Sequence, residues 1–291
     1  MPNRVALYDI RQNVRRRADM ENSTFCTDSE VDDYINHAWH ELYDILIQKY
    51  EEDYFLKSSN ISLAASTDSY DLPDDFYKVR GIDFQLNTND WTPLQRYRFT
   101  QRTRAPETLK FVYNFKYRIQ GEKIFFTPIP SSSDTVRVWY IPNPRFVETT
   151  SPTVISRGST TTWTADPKNF AVDDYVKGFN FTATTGNYNV VQKVTAVGAA
   201  TITTDFNSSG TSDPLTYGEI TSMVDAYSGW DEYILVDAAI RCMIKEESDI
   251  QPLLVQKDGL LKRIVEASSQ RDAGEPMRVT DVADYDNIYM Y

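Results

Sequence analysis

Histidine and cysteine are nearly missing from this chain of 291 residues, which carries two of each. That scarcity removes most metal and nucleophile chemistry. His37 and His40 stand three apart beside Glu41, but a metalloprotease helix needs His-Glu-x-x-His and a further ligand, so this reads as a surface or interface pair. The metal and cofactor expectation is therefore none. Cys26 and Cys242 lie near opposite ends. They are expected to be small buried core residues, and neighbours only if the two ends pack together. Glycine is sparse, at 11, and forms no phosphate-cradling loop, dinucleotide fingerprint or nucleophile elbow. No apolar run approaches the roughly 18 residues of a membrane span, and the opening Met1-Pro-Asn-Arg-Val-Ala-Leu7 has no signal-like core. The chain is expected to be made and folded in the cytoplasm.

Cations are outnumbered as well. Lys and Arg total 30 against 42 Asp and Glu, for a formal charge of −12. A free-standing nucleic-acid binder would carry a basic footprint, whereas an acidic wall beside DNA would keep it from sticking. The acids pair as Asp32/Asp33, Asp74/Asp75 and Asp173/Asp174. Glycosidase chemistry needs two carboxylates facing each other across a cleft, and adjacent residues do not supply that. No catalytic residue is assigned.

What the chain does have is a core. Hydrophobic residues make up 41% and aromatics 13%, with 19 tyrosines, enough to exclude global disorder and rich in the residue favoured at interfaces. Helical patterning sits at both ends. In the first helix Leu7, Ile10, Val14 and Ala18 recur at helical spacing, with Arg11, Arg15, Arg16 and Arg17 covering the remaining surface. The second opens on Thr27-Asp-Ser-Glu30, a capping box, and is expected to bury Val31, Ile35, Ala38, Leu42 and Ile45 or Leu46. Trp230 begins a broad apolar helix. Pro252 suits the first turn of the last one, which carries Leu253, Leu254, Leu260, Leu261, Ile264 and Val265. Between the ends, strand patterns dominate, with Gln120-Gly-Glu122 as a hairpin turn.

The expected class is α+β: a helical bundle formed by N- and C-terminal helices, a β-rich middle, and an inserted small β-barrel or sandwich. Residues 1–147 and 225–276 form the main unit and 148–224 the insert. The Ser/Thr-rich flanks 149–162 and 207–213 read as linkers. Residues 277–291 form an extended tail. Two features look like contact surfaces. One is the arginine cluster Arg11, Arg15, Arg16 and Arg17, suited to an acidic partner or to DNA phosphates. The other is the aromatic tail, with Tyr285, Ile288, Tyr289, Met290 and Tyr291 as anchors for a partner's sheet edge or pockets.

These residues also carry a resemblance. The opening Leu7-Tyr-Asp-Ile-Arg11 with Thr27 to Tyr43, the phrase Tyr70-Asp-Leu-Pro-Asp-Asp-Phe76, and the closing Ala238-Ala-Ile-Arg241, Lys245-Glu-Glu-Ser-Asp249 and Arg271-Asp-Ala-Gly-Glu-Pro276 resemble tailed-phage head-to-tail adaptor (connector) proteins. The likeness spans roughly residues 1–145 and 225–282. The insert resembles small β domains of virion proteins that usually carry Gly-Asp where this chain has Asp173-Asp174. The resemblance implies a dodecameric ring under the portal that extends the DNA channel and offers a surface for tail or nozzle proteins. It implies transient contact with double-stranded DNA, no membrane, and a place at the head–tail junction of virions assembled in the bacterial cytoplasm. Two rivals belong to other classes. One is a carbohydrate- or receptor-binding module carried by the Thr/Asn/Tyr-rich insert, and the other a virion-associated cell-wall hydrolase.

Overall fold

The computed structural model describes residues 4–49, 55–101, 115–181, 188–207, 213–214, 218–224 and 230–268. Among these the chain forms four α-helices and a strand-rich middle. The helices are α1 (Leu7–Arg17), α2 (Asp28–Lys49), α3 (Asp231–Lys245) and α4 (Gln251–Ser268).

Local chemistry sets the helix ends. The capping box before α2 is closed in both directions. Glu30 N–H donates to Thr27 Oγ1 at 3.3 Å, and Thr27 N–H donates to Glu30 Oε2 at 2.8 Å, so two backbone donors that the helix leaves orphaned are satisfied. At the end of α1, Asp19 takes the left-handed conformation (φ 57°) and Met20 N–H returns to Arg15 O at 2.7 Å, which terminates the helix. The three arginines of that last turn lie at the negative end of the helix dipole.

Leu7, Ile10 and Val14 of α1, Ile35 and Leu42 of α2, Tyr233 and Val236 of α3, and Leu260 and Ile264 of α4 all belong to one apolar cluster. Strand ends at Ile141 and Val224 and the loop residue Val147 reach into it. The exposed faces of α2 carry Asp33, His37 and Asp44, which is what an amphipathic helix pays no desolvation to keep outside.

Two four-stranded sheets share a second cluster. One runs Lys57–Ser62, Thr135–Pro142, Phe76–Gln85, Trp91–Pro93 in spatial order; the other runs Ser69–Asp71, Lys123–Thr127, Lys116–Gln120, Gln95–Arg96. Val136, Val138 and Tyr140 point inward toward Ile124 and Phe126 of the other sheet, as the period of two requires. The expected hairpin is present: Gln120 pairs with Lys123, and Gly121 adopts φ 61°, which the tight turn demands.

The third sheet has nine strands, and its core holds Trp163, Tyr188, Val194, Ile202 and Ile220. Here the linker expectation for 149–162 is corrected, while residues 208–212 of the other flank lie outside the described residues. Thr149–Thr150, Val154–Ser156 and Thr161–Thr164 are strands, and Asp213–Pro214 pairs with Val154–Ile155. Threonine and valine are β-branched and fit a pleated surface, so a Thr-rich flank favours pairing over slack chain. The strand Glu219–Val224 is also an unexpected crossroads. One side pairs with Tyr175–Phe179, and the other takes Thr149–Thr150 and then Val5–Ala6. The first residues of the chain thus close the sheet formed by residues 149–224.

Candidate interaction surface

The arginines of α1 are the first candidates, and the structure separates them. Arg11 and Arg15 are buried, so the expectation that all four cover the surface is corrected. Arg11 Nε and Nη2 donate to the two carboxylate oxygens of Asp32 at 2.7 and 2.6 Å, and Nη2 also reaches Thr149 Oγ1 at 3.0 Å. Glu219 and Asp28 lie 3.6 Å from its other nitrogen. One guanidinium therefore joins α1, α2 and two strands of the nine-stranded sheet, a use of the planar fork that lysine could not copy. Burial acts against its charge, but the bond to Asp32 and the surrounding carboxylates outweigh it and raise its pKa. Asp32 is itself pushed up by burial, against the pull of Arg11.

Arg15 donates to Asp28 at 2.6 Å and to the carbonyl of Cys26 at 2.8 Å, fastening the loop between α1 and α2. Arg17 pairs with Glu232 of α3. Arg16 is the exposed member, and its only ion pair among the described residues is with Glu21, both side chains more than half exposed. Such pairs contribute little. Of the four arginines, only Arg16 and the outer part of Arg17 face solvent. The aromatic candidates Tyr285, Ile288, Tyr289, Met290 and Tyr291 lie outside the described residues.

A second polar cluster escaped the sequence reading. Lys257 of α4 donates to Glu41 of α2 at 2.9 Å and to Asp237 of α3 at 2.8 Å. Arg241 donates to Asp237 at 2.8 Å, and Tyr233 Oη donates to Glu41 at 2.7 Å. Asp237 is 3% exposed, and every charge in the group has a hydrogen-bonded opposite, as burial requires. The signal was present as Asp237 within the apolar run Ile234 to Ile240.

The histidines do not form a site. His37 is exposed, and His40 lies 4.6 Å from the ring of Phe146 with its pKa lowered by burial. No cluster of metal-ligating side chains occurs among the described residues. Nor is any of their helices long and apolar enough to cross a membrane.

An open cleft of about 370 Å³ lies where the three parts of the chain meet, lined by Trp39, Tyr43, Arg145, Phe146, Asp174 and Tyr175 among others. Its carboxylates are engaged. Asp174 accepts from the Ala171 N–H at 2.7 Å and from Arg145 at 3.1 Å, and Asp173 is paired with Lys193 at 2.6 Å.

The strand Tyr175–Phe179 of the nine-stranded sheet is fastened to the N-terminal residues side chain by side chain. Tyr8 stacks on Phe179 with ring centroids 4.5 Å apart, Lys177 reaches Asp9 at 3.1 Å, and Arg4 lies over the ring of Tyr175. These contacts join α1 and the residue Arg4 before it to the strand Tyr175–Phe179 of the nine-stranded sheet. No curated protein matches the chain in sequence. The family model for the SU10 adaptor protein matches residues 6–179, more than half of the chain. The chain belongs to the SU10 adaptor protein family, a family of phage head-to-tail adaptors.

Proposed function

We propose that this chain is a non-catalytic virion protein that assembles as a dodecameric ring between portal and tail, extends the DNA channel and presents the tail-attachment surface. Membership in the adaptor family implies a structural role in the virion and contact with portal and tail proteins. The ring, its copy number, the channel and the DNA contact are our reading. In it, α1 to α4 act as a rigid bundle from which the β units project, with residues 1–147 and 225–276 as the hub and 148–224 as an accessory unit. The aromatic tail 277–291 docks on the portal, helped by the outward-facing Arg16 and Arg17.

The observation that carries this reading is the single apolar cluster shared by helices from both ends of the chain. Its cations are spent on the chain's own acids, as at Arg11 and Lys257. A stiff hub that keeps its geometry without a ligand suits a part that must fit identical neighbours around a closed ring. With Arg11 and Arg15 turned inward, an acidic chain would let DNA slide past, since attraction scales with the phosphates a surface neutralises.

Quantitative mass spectrometry of purified particles tests the reading by counting copies of this chain per portal subunit. A ratio near unity is expected. A large excess in multiples of three would favour a receptor-binding fibre, and absence from particles would defeat the proposal.

A further inference from the structure

The loop before α2 carries Cys26, and α3 carries Cys242. The two residues are separated by 216 positions in sequence, yet their sulfurs lie 4.0 Å apart. Both are free thiols, 0% and 1% exposed. No other cysteine exists in the chain, so neither has an alternative partner within it. A disulfide needs its sulfurs about 2.05 Å apart, and rotation of two short side chains can close a gap of about 2 Å.

We propose that Cys26 and Cys242 form a site of oxidative modification, at which a peroxide converts the adjacent thiols into an internal disulfide that staples α3 to the start of α2. The Cys26 carbonyl is already held by Arg15 at 2.8 Å, so the loop is set against α3 before any bond forms. In the first step one thiolate attacks peroxide. The O–O bond breaks, sulfur becomes a sulfenic acid and hydroxide leaves. The second thiol then attacks that sulfur, the S–O bond breaks, and water leaves with the thiol's proton. Two thiols and one hydrogen peroxide become one disulfide and two waters.

The site is built to react slowly and late. Burial, with Cys26 alongside, pushes the Cys242 thiol up to about 12, although the Arg15 guanidinium pulls the other way. A protonated, enclosed thiol resists large oxidants and oxidised glutathione, and leaves small neutral peroxides as the competent class. The chain would therefore stay reduced in a reducing cytoplasm and become stapled on exposure to an oxidising medium. The inference rests on the geometry of a single chain and does not depend on ring assembly.

The test exposes the purified, reduced full-length chain to millimolar hydrogen peroxide, then unfolds it in iodoacetamide. The mass should fall by about 2 Da with neither thiol alkylated, and a Cys26 peptide should be found linked to a Cys242 peptide. Because the closed loop is long, the melting midpoint should rise by about 5–10 °C and fall back when reductant is added. A Cys242→Ser chain should show no rise; if that variant fails to fold, the wild-type mass and peptide linkage decide alone. Full alkylation of both thiols after unfolding would overturn the proposal. So would oxidation to sulfinic acid without a cross-link, or linkage only between separate copies.

Discussion

Replacing Arg11 with methionine asks whether this side chain serves the fold or an outside partner. Methionine keeps most of the apolar stem packed and removes the guanidinium. Arg11 has 4% of its side chain exposed, and Asp32 has 19%. The substitution strips Asp32 of both its short bonds and leaves Glu219 facing it without a cation. Breaking a buried pair from one side costs about 3–5 kcal/mol. Partial exposure of Asp32 puts the expected loss at the lower end, about 3 kcal/mol, or a fall of about 6–12 °C in melting midpoint for a chain of this size.

The pH dependence supplies a sharper check. Burial already raises Asp32 above the ordinary carboxylate value, and Arg11 is the group pulling it back. Without Arg11 the folded-state pKa climbs further above the unfolded one. A carboxyl raised in the folded state destabilises at neutral pH, and the penalty is relieved as pH falls through the folded value. The gap between Arg11→Met and wild type, read by urea titration, should therefore narrow between pH 7 and pH 4. Adding Asp32→Asn should recover part of the loss at pH 7. A loss below about 0.5 kcal/mol, the range of ordinary surface changes, would refute the structural role and return Arg11 to the partner-binding group. A gap that widens on acidification would refute the electrostatic account.

Three further outcomes follow from the same reasoning. Lys257→Met removes the bridge between Glu41 and Asp237 while Arg241 still covers Asp237, so denaturant titration should show a loss of about 2 kcal/mol, less than for an uncompensated buried charge; a loss equal to that of a surface lysine would contradict it. Glu30 is held down to about 2 by Lys245 and by the Thr27 N–H. Its stabilisation is present above the ordinary 4.5 and is lost as pH falls toward 2, so Lys245→Met should melt below wild type at pH 7 and level with it near pH 2, and a constant difference would be evidence against the pair. Finally, excising 151–217 should preserve helical circular dichroism because Glu219–Val224 still pairs with Val5–Ala6 and Thr149–Thr150, whereas excising 148–224 removes both pairings and should lower the unfolding midpoint further; equal midpoints would show that the crossroads strand contributes nothing to α1.

How much of this was legible in the sequence depends on whether a feature is local. The capping box at Thr27 and Glu30, the hairpin at Gly121 and the helix spans all rest on residues within a turn or two of each other, and the structure has them where spacing placed them. The family resemblance rested on α1, α2, the Tyr70–Phe76 phrase and the closing phrases from Ala238 to Pro276; the family match over residues 6–179 covers the first three, and the closing phrases lie outside it. What failed were judgements about what a segment meets. A run of Thr and Ser at 149–162 has the composition of a linker and the β-branching of a strand, and only its partners decide, Glu219–Val224 for Thr149–Thr150 and Thr201–Thr204 for Thr161–Thr164. The same holds for Val5–Ala6, whose strand pairing is decided by Met223 and Val224, more than two hundred positions away.

The arginines of α1 show why charge alone misleads. Periodicity assigned Arg11 and Arg15 to the surface because arginine is rarely buried, and it is rarely buried because an unpaired guanidinium loses too much hydration. The rule holds only while no partner is present. Asp28 and Asp32 lie four apart, so they share one face of α2, and Arg11 and Arg15 lie four apart on α1. Two helices joined by a short loop and carrying matched i, i+4 pairs of opposite sign can close those pairs against each other, and here they do. That register was readable before any coordinates. It fixes which way α1 faces: its apolar residues turn to the core, Arg11 turns to α2 and the sheet, and Arg16 is left to solvent. An acidic partner that docks on α1 must therefore do so through Arg16 and the exposed edge of Arg17, a target half the size that counting arginines suggests.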